Sequence, residues 1–75
     1  MMNEKLLNEN GYKKVVQFNR LRPVFYKYDD GIDEYLDEYG VEIRGIEIKR
    51  QEDIDKLQIR FNNLNKLWKE SKKDE

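Results

Sequence analysis

The stretch DDGIDEYLDE gathers six carboxylates, Asp29, Asp30, Asp33, Glu34, Asp37 and Glu38, within ten residues. It is where residue type and spacing come nearest to suggesting chemistry. A pair of such groups can do general acid and base work, and a cluster of oxygens can hold Ca²⁺ or Mg²⁺. The spacing favours neither, because Gly31 and Ile32 stand where an EF-hand loop needs its ligands. A run of acids is ordinarily a solvated face. A single-sign field can still steer a partner, and fixed carboxylates can stand where phosphates would lie. Asp33, Glu34, Asp37 and Glu38 are therefore the candidate acidic partner surface, on which the chain would mimic nucleic acid and inhibit a host protein.

Nucleophilic catalysis has almost no material. The chain has no His and no Cys, and its single serine is Ser71 near the C-terminus. A nucleophile needs a base held against it, so no triad can be written. The glycines, Gly11, Gly31, Gly40 and Gly45, are scattered and make no phosphate-binding loop. The expectation is a protein that is not an enzyme, with no catalytic residue, no metal site and no cofactor.

A second constellation is basic. Lys13, Lys14, Arg20 and Arg22, with Lys27 beyond them, are interleaved with Tyr12, Phe25, Tyr26 and Tyr28. Sheets bind single strands with bases beside aromatics. The plainer reading puts the aromatics in the core of so small a chain, with the bases along an edge. Net charge is −1 overall, which argues against generic phosphate neutralisation. Its distribution is uneven: residues 1–28 carry six bases against two acids, and residues 29–40 carry six acids and no base.

The elements that must position these groups follow from periodicity. Residues 1–11 read as a short N-terminal helix or arm, stopped by Asn10 and Gly11. From Tyr12 the apolar pattern has period two, giving a first strand, and Val24 to Tyr28 gives a second with Pro23 at its start. In DDGIDEYLDEYG, Ile32, Tyr35, Leu36 and Tyr39 recur at helical spacing, which predicts a short helix at 31–39 or a structured acidic loop. Val41 to Lys49 is a third strand whose phase changes at Gly45. The glycine serves either as a bulge or, with Arg44, as a two-residue turn.

Residues 51–70 carry the clearest signal. Ile54, Leu57, Phe61, Leu64 and Trp68 alternate by three and four over two heptads, the pattern of a long helix laying one stripe on a sheet. Ile59 lies off that stripe. Residues 71–75 are charged and read as a frayed tail. The whole is one domain over 1–75, with 12–49 as the sheet region. Its class is α+β: a small three-stranded antiparallel sheet packed by the C-terminal helix.

At 75 residues such a core is thin, and small chains recruit disulfides, metals or oligomerisation. Without Cys or His, self-association remains. Ile59, Phe61, Leu67 and Trp68 are the candidate dimer interface, since aromatic anchors dominate such contacts. No apolar run is long enough for a transmembrane helix or a signal peptide, so no membrane partner and a cytoplasmic location are expected.

Taken together, YKKVVQFN, RPVFYKYDDG, VEIRGIEIK and QEDIDKLQIRFNNLNKLWKE resemble the YopT-like family of small Bacillus prophage proteins. The resemblance spans nearly the whole chain and rests on length, element order and texture, with no catalytic motif. It implies a three-stranded sheet with one main helix, a homodimer, and no functional residues to carry over. The expected role is a non-enzymatic interaction module, a prophage accessory protein binding an unknown host or phage protein. The alternatives are a nucleic-acid-binding accessory or regulator using Lys13, Lys14, Arg20 and Arg22, or an acidic nucleic-acid mimic that inhibits a host protein.

Overall fold

The computed structural model describes residues 2–16 and 22–73. The element order is α1 (Glu4–Glu9), β1 (Lys13–Val15), β2 (Val24–Asp29), β3 (Ile32–Asp37), β4 (Gly40–Arg44) and α2 (Gln51–Lys72). The fold is α+β, and its sheet has four antiparallel strands in the order β1-β2-β3-β4, one more than the sequence predicts.

The extra strand is β3, where the sequence predicts a short helix at 31–39. Two facts override that spacing. Asp30 and Gly31 take φ of 52° and 75°, the paired positive values of a two-residue hairpin turn whose twist suits antiparallel strands. The segment that follows also reads with period two, because Ile32, Glu34 and Leu36 share one face of the strand and Asp33, Tyr35 and Asp37 the other. Pairing Phe25 with Leu36 and Tyr26 with Tyr35 then secures more than an isolated two-turn helix gains. The next turn is held by Asp37, whose Oδ1 accepts from the amides of Tyr39 and Gly40 at 2.8 and 3.1 Å.

Gly45 forms neither a bulge nor a hairpin turn. Pairing stops at Arg44, and residues 45–49 leave the sheet, so the third predicted strand is shorter than its pattern. At Gly45 φ is +92°, and a Cβ there would stand 2.7 Å from the carbonyl oxygen of Gly31. Only glycine lets the departing chain pass so close to the hairpin turn.

Leu7, Tyr12, Phe25, Leu36 and Leu64 form the core, with Met2, Val41, Ile43, Leu67 and Trp68 packed against it. One face of the sheet thus carries α1 and the C-terminal half of α2. Asn3 Oδ1 caps α1 by accepting from the Leu6 amide at 3.0 Å. At the start of α2, the Asp53 carboxylate accepts from the amides of Lys49 and Arg50, both at 3.0 Å. The helix continues through Ser71 and Lys72, beyond the residue 70 at which the sequence lets it fray. Ser71 is fully buried, with its hydroxyl donating to the Trp68 carbonyl at 2.7 Å.

Candidate functional site

The apolar stripe of α2 runs past the end of its own core. Leu64 is 2% exposed, but one and two heptads upstream of Trp68 the stripe residues Phe61 and Ile54 are 41% and 46% exposed. Ile48, in the segment leading into the helix, is 48% exposed. Fully buried positions in α2 begin at Leu64. About half of its six turns therefore stand over the sheet with Leu57 half-buried and Arg60 engaged by Glu34 and Asp29, and leave their outer flank bare. Four aliphatic or aromatic side chains within fifteen residues, Ile48, Ile54, Ile59 and Phe61, therefore meet solvent. Ile59, at 62% exposure, lies about 140° round the helix from Ile54 and borders the opposite flank.

The four residues predicted for a dimer interface divide accordingly. Ile59 and Phe61 are exposed, while Leu67 and Trp68 pack against the core. The Trp68 indole donates to the Asp37 carbonyl at 2.7 Å, and Lys72 stands 4.7 Å over its ring while donating to the Glu38 carbonyl. Those two residues fasten the helix to the β3–β4 turn and are not free to anchor a partner. Ile54 and Ile48 were legible only as core and strand residues, because the periodic pattern does not say where the underlying sheet stops.

The acidic run is not one surface. Strand alternation sends Asp33 and Glu34 to opposite faces. Asp33 accepts from the Tyr26 hydroxyl at 2.6 Å, Asp37 holds its turn, and Glu38 pairs with Arg22 at 2.6 Å. Glu34 is 4% exposed and cannot present itself to a partner. The basic set is similarly divided: Lys13 and Lys14 alternate in face, Lys14 lies 3.7 Å from Glu4, Arg22 is spent on Glu38, and Arg20 lies outside the described residues.

Tyr26 and Tyr28 also depart from the expectation that the aromatics fill the core. With Tyr35 they occupy the sheet face opposite α2, where Tyr26 and Tyr35 meet at 5.1 Å between ring centroids and Arg44 stands 5.7 Å over Tyr35. Only Tyr12 and Phe25 of the hairpin aromatics join the core.

Read at helical spacing, residues 31–39 gave no sign of the buried polar cluster beneath α2. The Tyr12 hydroxyl donates to Glu34 Oε1 at 2.7 Å, and Arg60 reaches Glu34 Oε2 and Asp29 Oδ2, each at 3.3 Å. Burial, and then the hydrogen bond to Glu34, push the Tyr12 hydroxyl well above the ordinary phenol range. The cluster lines a cleft of about 520 Å³ between the β2–β3 hairpin and α2. A phenol, a carboxylate and a guanidinium so engaged tie the helix to the sheet and leave no group poised as a nucleophile. The one signal available was Glu34 alternating with Ile32 and Leu36, which marks it as facing the core once the segment is read as a strand.

No protein-family model matches the chain, and no curated protein and no solved structure is significantly similar to it. Among the described residues, no helix is long and apolar enough to cross a membrane.

Proposed function

We propose that this chain is a non-enzymatic protein-interaction module that works as a homodimer, with the flank of α2 that exposes Ile54 and Phe61 as the self-association surface. The observation that carries the reading is the exposed pair Ile54 and Phe61, which extend the stripe of an otherwise packed helix. A second copy is the occupant that charge favours. Along α2, Glu52 and Asp55 lie toward the N-terminus and Lys66 and Lys69 toward the C-terminus. An antiparallel, twofold apposition sets acids against bases, and a parallel one sets like against like. Such pairing would cover Ile54, Leu57 and Phe61 and supplement a core that is small for an independent domain.

The test is light scattering over a concentration series. Twice the chain mass of 9.2 kDa is expected at high micromolar, and Ile54→Glu with Phe61→Glu is expected to return the chain mass with the circular dichroism spectrum retained. A wild-type monomer at that concentration would overturn the dimer.

The wider role, as an accessory protein of a Bacillus-type prophage acting on a host or phage protein in the cytoplasm, belongs to the same proposal and rests on the family resemblance. A tagged pull-down from a Bacillus-type lysate, split into nuclease-treated and untreated halves, tests it. A stoichiometric protein that survives nuclease supports the interaction module. Capture of nucleic acid that disappears on treatment would overturn it in favour of the basic hairpin, with the steep salt dependence that phosphate contacts bring.

A further inference from the structure

The two edges of the sheet are unlike. β1 is three residues long and places Lys13 and Lys14 on its border, a common guard against strand addition. β4 is five residues, Gly-Val-Glu-Ile-Arg, with no proline. The Asp30-Gly31 turn makes Asp29 and Ile32 a hydrogen-bonded pair, and bonding alternates from there. β3 thus turns the backbone groups of Asp33, Tyr35 and Asp37 toward β4, where Arg44, Glu42 and Gly40 receive them. The amides and carbonyls of Val41 and Ile43 consequently face the open edge, and among the described residues no turn, cap or side-chain hydrogen bond reaches them. At Gly45 the chain leaving β4 passes against Gly31 of the β2–β3 hairpin, away from that edge.

The helix α2 lies along this strand. Trp68 and Lys72 donate to carbonyls at the β3–β4 turn, where β4 begins, and Asp53 and Lys56 line a hollow with Gly45, where it ends. Helical spacing puts Ile54, Phe61, Trp68 and Lys72 on one side of α2, while Lys56, Arg60 and Asn63 face the cleft over β2. The side carrying Ile54 and Phe61 is therefore the side of the open edge, with Phe61 near the level of Ile43. We propose that β4 pairs antiparallel with β4 of a second copy, in a register centred on Ile43, so that one sheet runs through both copies and the two α2 helices lie side by side on one face. This rests on the homodimer reading and names the strand that completes it. Outward-bonding residues must oppose one another, so the twofold axis passes Val41, Glu42 or Ile43. Centring on Ile43 sets Glu42 opposite the partner's Arg44 on both sides of the axis, extending the ion pair these residues make within the chain at 2.9 Å. Centring on Glu42 opposes two carboxylates, and centring on Val41 runs the strand against the turn residues Glu38 and Tyr39. The edge is thus complementary in charge to itself, in the same antiparallel sense that the charges of α2 favour.

The test is amide hydrogen exchange of the wild-type chain at high and low concentration, beside light scattering, together with disulfide trapping in a chain that has no cysteine of its own. In the dimer the Val41 and Ile43 amides are expected to exchange about tenfold or more slowly than after dilution to monomer. A mixture of Glu42→Cys and Arg44→Cys chains is expected to oxidise to the mixed disulfide, because the two positions lie directly opposite, whereas each variant alone is too far from its own copy to bridge. Twice the chain mass without that protection, or self-linking of either variant in preference to the mixed disulfide, would overturn the strand pairing and leave the dimer standing. The chain mass alone at high micromolar would overturn both.

Discussion

Glu34 costs free energy to bury, and the residues around it decide whether that cost is met. Its two oxygens take one phenol and one guanidinium, so removing either donor leaves a carboxylate short of a partner where water is scarce. Tyr12→Phe is expected to cost about 1–3 kcal/mol. Arg60→Ala is expected to cost about 2–3 kcal/mol, below the roughly 3–5 kcal/mol of a fully buried pair, because the Arg60 side chain keeps 24% exposure. Urea unfolding followed by the fluorescence of the single tryptophan checks both. The phenols also set an alkaline limit. The folded state holds the Tyr12 proton more tightly than the unfolded chain, in which tyrosine titrates near 10. The Tyr26 hydroxyl, which donates to Asp33, is pushed up to about 12, chiefly by that hydrogen bond. Both contributions are complete below about pH 10 and are lost as pH rises through the folded values. The urea midpoint is therefore expected to hold up to about pH 10 and to fall from there toward pH 12, and to fall less steeply in Tyr12→Phe. Asp33→Asn should return the ultraviolet titration of Tyr26 toward 10.

At the scale of elements, two short peptides govern the fold. Asp30-Gly31 turns β2 into β3, and Gly45 lets the chain leave β4 over that same turn. Gly45→Ala must hold φ near +92° with its Cβ against a carbonyl oxygen, so a loss of roughly 1–3 kcal/mol is expected, read from the thermal midpoint. Trp68→Phe removes the bond to the Asp37 carbonyl and should cost about 1 kcal/mol, measured by chemical unfolding with circular dichroism. These elements also show what was legible beforehand. Residues 1–11, read as a short helix or arm, form the helix Glu4–Glu9, and the long helix, β1, β2 and the start of β4 follow from periodicity. Residues 31–39 do not, since Ile32, Tyr35, Leu36 and Tyr39 fit a helix while Ile32 and Leu36 fit a strand just as well. The Asp-Gly pair was the deciding signal, and its weight lies in backbone twist, to which apolar spacing is blind. The cleft was illegible for a related reason: it is built by residues from three separate elements and the connections around them, and only register brings Tyr12, Glu34 and Arg60 together.

For the whole molecule, the imbalance between a packed end and a bare end of α2 predicts that stability depends on concentration. If two copies share the bare end, unfolding and dissociation are linked, and the thermal midpoint should rise by about 3–5 °C for each tenfold increase in protein. A midpoint that does not move with concentration would count against the linkage. The packed end has a separate consequence. The Asn3 amide donates to the Ser71 carbonyl at 2.8 Å, and the Ser71 hydroxyl lies 3.8 Å from the sulfur of Met2, 69 positions away in sequence. The chain is thus nearly a ring, with its opening between neighbouring helix ends. A few glycines would close that ring, and a cut at Asp30-Gly31 would reopen it as a circular permutant in which β3 leads and β2 ends the chain, with every strand still beside its present neighbour.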